Sequence, residues 1–442
     1  MKLSSERNSR HATVVFALGL CALHLAACKT GGSQGSGGAD GEGGGGGVAQ
    51  DGGKGGSAGA GSGGAAGGAS GGSGGGGGNA GTAQAGMGGG GMAAMGGSGG
   101  AMVAVDYFVY ASGGTQIETF KFNAETGALT SVEKINSGPS TTYLAFHPNG
   151  KTLYATNESG SGVVKAFSIA KGTGKLTANG MQATGGTGAV HVSVHPSGKW
   201  LFVSNYNGAN VSVFPINQTT GAIEASVDTQ PTANESHQIV PDPSGKFVFV
   251  PCRADAKPYV FQFKLDEASG KLTANTPAFV ASDDPRHIAF HPGGKFAYLI
   301  NEAPTTAGAV ASVVGFTVSA TGTLTQIEKI NLPTDENWGS HVVASPDGKF
   351  IYAGGRKTGV ILGYSVEATT GKLTEITKTT MSIQVPRDFT ISPTGRHLVI
   401  ANQSLGNLAV LAIATDGKLS NVGQPVSTVG DVAGVVVVPV PR

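Results

Sequence analysis

The stretch PRHIAFHPGGKFAYLINE, residues 285–302, carries a guanidinium and an imidazole at one end and an amide and a carboxylate at the other. The apolar runs on either side of its Pro-Gly turn read as two short strands. The free ends of a hairpin meet, so Arg286, His287 and Glu302 are expected together. The same construction recurs along the chain. Ten residues after each turn proline stand Glu158, Tyr206, Arg253, Glu302, Arg356 and Gln403. Five or six residues before those prolines stand His191, His237, Arg286 with His287, His341, and Arg387 with Asp388. Of the six arginines beyond residue 104, four (Arg253, Arg286, Arg356 and Arg387) occupy these positions. Fixed guanidinium forks beside imidazoles and carboxylates suit a small anionic or polyhydroxylated ligand.

Each of these residues also has a structural reading. Asn157 and Asn402 read as turn caps. Each histidine at an inner strand start reads equally as a site residue or as a blade-to-blade bond. His191, His287 and His341 share one parity and His237 the other, so they are not expected to face a channel alike. His147, His195 and His291 lie in turns and are expected to be solvated. Arg286 with Glu302 also reads as a plain ion pair. The chain has no H-E-x-x-H, paired-cysteine or EF-hand motif, and no metal or cofactor is expected. It has no G-x-S-x-G elbow either, which argues against a serine hydrolase. Cys252 reads as a small buried hydrophobe. A formal charge of +1 argues against nucleic acid as a partner.

These positions are set by a repeat. HPNGKTLYATNE (147–158), HPSGKWLFVSNY (195–206), DPSGKFVFVPCR (242–253), HPGGKFAYLINE (291–302), SPDGKFIYAGGR (345–356) and SPTGRHLVIANQ (392–403) are copies of one unit. A T-G-x-L-T type turn recurs with its glycine at 127, 174, 221, 270, 322, 371 and 417, a spacing of 46 to 52 residues. Four strands per such period imply an all-β fold, a β-propeller of four-stranded blades. Seven outer turns with six Pro-Gly hairpins imply seven blades. The missing inner strand is GVVVVPV, 434–440, so the last blade takes one strand from the C-terminus and three from the N-terminus, closing the ring.

The propeller is assigned to residues 105–442. Residues 1–28 read as a signal peptide, with an apolar segment from Thr13 to Leu25 too short to span a bilayer. Leu25-Ala26-Ala27-Cys28 resembles a lipobox, and lipidation at Cys28 is expected. Residues 29–104 read as a disordered tether, since 38 of the 70 residues from Gly31 to Gly100 are glycine. A monomer anchored to the cell envelope by lipid is expected, with Lys29 leaning towards the outer membrane.

The motifs PRHIAFHPGGKFAYLINE, PRDFTISPTGRHLVIANQ (386–403), HVSVHPSGKWLFVSNYNG (191–208) and HQIVPDPSGKFVFVP (237–251) resemble the seven-bladed propeller lactonases. That family includes bacterial propeller-type 6-phosphogluconolactonases and carboxy-cis,cis-muconate cyclases. The resemblance implies metal-independent hydrolysis of a sugar-type lactone at the channel mouth. It places Glu302, His287 and Arg286 as catalytic residues. Arg387, Gln403, His191, Tyr206, His237 and Arg356 would contact substrate. Glu302 or His287 would be the base, and Arg286 and Arg387 would hold phosphate or the oxyanion. Glu302→Gln is expected to stay folded, because its side chain fills no apolar layer. The chain departs from the family pattern at Gly355 (usually asparagine), at His341 (often glutamate) and across 252–259. The alternative is a non-catalytic surface propeller binding a glycan or protein. Fully paired charges and an aromatic rim would favour that alternative.

Overall fold

The structure is a computed structural model that describes residues 104–253, 258–303 and 309–442. The expected signal peptide, Cys28 and the expected tether, up to residue 103, lie outside the described residues. Within them, seven antiparallel sheets form: six have four strands, and the one that begins with Pro386–Ile391 has a fifth short strand, Val426–Ser427, paired with Asn407–Ile413. The blade that opened the sequence reading is Pro285–Phe290, Phe296–Asn301, Ser312–Val318 and Leu324–Asn331. The ring closes as expected. Val432–Pro441 is the inner strand of the blade that continues with Val105–Gly113, Gln116–Phe122 and Leu129–Asn136. Seven apolar clusters fill the seven interfaces between neighbouring blades. Val, Ile, Phe and Tyr dominate the strands because each sheet is covered on both faces.

Polar bonds tie each blade to the next. Tyr110, Tyr154, Tyr298 and Tyr352 donate their hydroxyls to the carbonyls of Gly174, Gly221, Gly371 and Gly417, the turn glycines of the following blades. The turn histidines do similar work, which corrects the expectation that they are solvated. His147 and His195 are buried, and their Nε2 atoms lie 3.0 and 2.9 Å from the carbonyls of Gly198 and Gly245. At Gly198, with φ 73°, a Cβ would sit 2.5 Å from the His147 ring, so backbone and packing both require glycine there.

Two local devices deliver the inner strands to the mouth. The chain enters them through a left-handed residue: Asp431, Ser140, Gly188, Glu235, Asp284 and Val385 all have positive φ. In six blades the backbone N–H of a residue just past the second strand donates to the carbonyl at that entry. The pairs are Glu158 with Ser140, Tyr206 with Gly188, Arg253 with Glu235, Glu302 with Asp284, Arg356 with Trp338, and Gln403 with Val385. This bond holds the two ends of each hairpin together, as the opening motif implied. Immediately afterwards the ladder slips, between Thr141 and Tyr143, Ala189 and His191, Pro285 and His287, Gly339 and Val342, and Pro386 and Asp388. These are β-bulges, which re-aim side chains.

Candidate active site

The bulges explain how consecutive residues come to face one space. A slot of about 10 Å³, room for about one water, is lined by Thr142 with Tyr143, Val190, His237, Arg286 with His287, Arg387 with Asp388, and Ala433. Strict alternation forbids neighbours from sharing a face. A bulge permits it. The parity argument against the histidines therefore fails. His287 Nε2 lies 3.1 Å from His237 Nδ1, and its Nδ1 meets His341 Nδ1. The His191 and His287 rings meet edge to face at 5.7 Å. His237 escapes the parity rule because it precedes its two-residue strand and is held by its N–H to the Pro251 carbonyl at 2.9 Å. Burial pushes His191, His237 and His287 well below the usual histidine range, so all three are neutral at pH 7.

Beside the slot, Glu302 is the centre of an arginine cluster. Its carboxylate lies 3.1 Å from Arg286 Nε, 2.7 Å from Arg356 Nη2 and 3.3 Å from Arg253 Nη2. Arg286 also donates to the Ser340 carbonyl, and Arg356 donates to that of Gly339 while stacking 4.1 Å over the Trp338 ring. Arg253 pairs with Asp284 at 3.1 Å and reaches the Tyr206 hydroxyl at 3.3 Å. Burial lifts the Asp284 carboxyl to about 6 against the pull of Arg253. Neither Arg286 Nε nor Glu302 Oε2 has an aligned hydrogen bond, so that contact is a charge pairing.

Asp388 is a residue the sequence placed near the site without assigning a role. It is buried and lines the slot. Its Oδ2 accepts the Val435 N–H at 2.9 Å, and its Oδ1 lies 3.6 Å from His341 Nε2. Burial raises its carboxyl to about 7, against the opposing pull of that N–H and of Arg286. The Pro-Arg-Asp order shows the residue, but only the packing shows its burial.

The slot shares Thr142, Arg387 and Ala433 with a larger cleft of about 370 Å³, completed by Gly114, Ser140, Glu158 and Asp431. Gln403 reaches this cleft only through its bond to Asp431 Oδ1 at 2.8 Å. Tyr206 stands behind the site, edge to face with His237 at 5.8 Å.

The departures have structural answers. A Cβ at Gly355 would lie 2.5 Å from the Glu336 carboxyl, and Glu336 is fully buried there. Its oxygens accept from the N–H groups of Trp338 at 2.7 Å and Thr358 at 2.8 Å. In other blades an asparagine spans the same gap: Asn157 holds the Pro139 carbonyl at 2.8 Å, and Asn402 that of Ser382 at 2.8 Å. Cys252 is buried, its thiol pushed up to about 12, as a small hydrophobe would be.

Residues 108–437 match the family described as lactonase, 7-bladed beta-propeller. A 6-phosphogluconolactonase of Formosa agariphila is 28% identical over 342 residues, covering 72% of this chain and 95% of that protein. One from Bacillus subtilis is 28% identical, covering 68% and 88%. The solved structure of a periplasmic gluconolactonase from Pseudomonas aeruginosa superposes with a TM-score of 0.67 at 24% identity, covering 76% of this chain and 99% of that one. With the matched segment spanning nearly the whole propeller, the chain belongs to the seven-bladed β-propeller lactonase family and is an enzyme of the lactonase class.

Proposed function

We propose that the protein hydrolyses a sugar-type lactone at the mouth of the propeller channel, without a metal ion. The observation that carries this reading is the water-sized slot, lined by Arg286, His287, Arg387 and Asp388, which shares Thr142, Arg387 and Ala433 with a cleft large enough for a sugar. Relatives named 6-phosphogluconolactonase support the substrate class. Among the described residues, no three His, Cys, Asp or Glu side chains are arranged to hold a metal.

In this reading water in the slot adds to the lactone carbonyl and gives its proton to the Asp388 carboxylate, whose value near neutral suits a base at pH 7. His287 and His341 orient that water and the carboxylate. The Arg286 and Arg387 guanidinium groups stabilise the negative charge developing on the carbonyl oxygen. The ring C–O bond then breaks, the ring oxygen takes the proton back from Asp388, and the resulting acid ionises. Glu302 acts as the counter-ion that fixes Arg286 and Arg356. His191, His237 and Tyr206 back the slot, and Gln403 positions Asp431. Sugar δ-lactones are reactive esters, so no covalent nucleophile is needed. The paired arginines and the exposed Trp338 are what a binding propeller would show. The cleft beside a carboxyl poised near neutral favours catalysis.

Proton release by chelator-treated protein against a panel of sugar lactones tests this reading. Turnover far above spontaneous hydrolysis is expected, and dependence on added metal would contradict it. We also propose lipid anchoring at Cys28, supported by the Leu25-Ala26-Ala27 stretch before it. Cys28→Ala is expected to lose palmitate labelling and membrane association.

A further inference from the structure

We propose that the outer cleft selects an uncharged polyhydroxylated lactone over its phosphorylated counterpart, with Glu158 and Asp431 as the specificity-determining residues. The inference rests on the lactonase reading above and narrows its substrate class.

The charges lining the cleft carry it. They are Arg387, Glu158 and Asp431, one cation against two carboxylates. Arg387 is itself matched, its Nη2 lying 3.6 Å from Glu158 Oε2. A phosphate dianion entering here would meet two like charges and compete for one occupied guanidinium. The remaining arginines offer no reserve. Arg286 and Arg356 are buried against Glu302 and the carbonyls of Ser340 and Gly339. Arg253 is held by Asp284, Glu302 and Tyr206. The nearby Lys165 donates to the Ser137 carbonyl at 2.8 Å and does not line the cleft. The histidines add no positive charge, since burial keeps His191, His237 and His287 neutral.

The same lining fits a neutral polyol. Carboxylates accept hydroxyl protons in charge-assisted bonds, and Arg387 can donate to hydroxyl or ring oxygens. Thr142 Oγ1, on this lining, and Tyr143 Oη, in the slot that shares Thr142, are buried with no hydrogen-bond partner among the described residues. Tyr143 is only 5% exposed and lines the slot. A buried unpaired hydroxyl is costly until a ligand group satisfies it.

The test compares kcat/KM of the full chain for glucono-δ-lactone and for its 6-phosphate, in the wild type and in a Glu158→Gln, Asp431→Asn double variant. Both side chains are solvent-facing, and asparagine tolerates the left-handed backbone of Asp431, at φ 54°, so the variant is expected to fold. The wild type is expected to favour the uncharged lactone by about tenfold or more, and the double variant to shift that ratio towards the phosphate by about tenfold. A wild-type preference for the phosphorylated lactone, or an unchanged ratio in the variant, overturns the inference while leaving the lactonase reading intact. Failure to hydrolyse either lactone overturns both.

Discussion

A carboxylate within 3.3 Å of three guanidinium groups, Glu302 is the one acidic partner at such close range, among the described residues, for Arg286 and Arg356. Glu302→Gln leaves those two buried arginines side by side without neutralisation. Breaking a buried pair in this way costs about 3–5 kcal/mol. The variant is therefore expected to unfold at clearly lower denaturant concentration, and an unchanged midpoint would show that the cluster is not a unit. This revises the expectation from sequence, in which Glu302 filled no apolar layer and its amide was harmless. Sequence spacing shows that Arg286 and Glu302 meet. That Arg356 and Arg253 join them depends on blade-to-blade geometry, which no local pattern encodes. Arg286→Lys keeps a charge but loses the fork, and since Arg286 is read as stabilising the developing oxyanion it is expected to lower kcat more than it raises KM in lactone assays.

At the scale of the strand, the hairpin ends were legible because a backbone bond fixes them. In six blades an N–H just past the second strand, such as that of Glu302, donates to the carbonyl before the first, such as that of Asp284. The histidine cluster was not legible, because parity holds only for a regular strand and the ladder slips between Pro285 and His287. A bulge leaves little trace in residue types. The sixth blade offers a sharper case. Gly355 makes room for Glu336, an exchange in which a carboxylate accepting loop N–H groups stands where an asparagine elsewhere donates to loop carbonyls. Glu336→Ala leaves buried N–H groups unpaired, at about 1–3 kcal/mol. Gly355→Asn alone drives a side chain into Glu336, at about 1–3 kcal/mol. Together they are expected to cost at least about 1 kcal/mol less than the sum. Strictly additive losses in denaturant titrations would contradict this exchange.

Over the whole molecule, the inner edge of Val105–Gly113 and the packing of the first blade on both its neighbours are completed only by the ring-closing strand Val432–Pro441. The repeat count made this closure readable, since six hairpins and seven outer turns leave one inner strand to be found at the C-terminus. A chain ending at Ala433 exposes the edge of Val105–Gly113 and opens two apolar clusters, which lose Val436, Val438 and Val440 from one and Val435 and Val437 from the other. It is expected to be insoluble or to melt far below the full chain, while deletion of residues 29–100 leaves the melting curve unchanged. Closure also brings Val435 to Asp388, so the last strand of the ring supports the proposed base. That convergence is tested most directly by the pH dependence of kcat on a sugar δ-lactone for the wild type and Asp388→Asn. A carboxylate base with its carboxyl raised to about 7 is active only when ionised, so wild-type kcat is expected to fall as pH drops below about 7. Asp388→Asn is expected to lose at least about 100-fold and the acid limb with it. A variant that keeps wild-type kcat and the same acid limb would contradict the assignment of the slot as the reacting site.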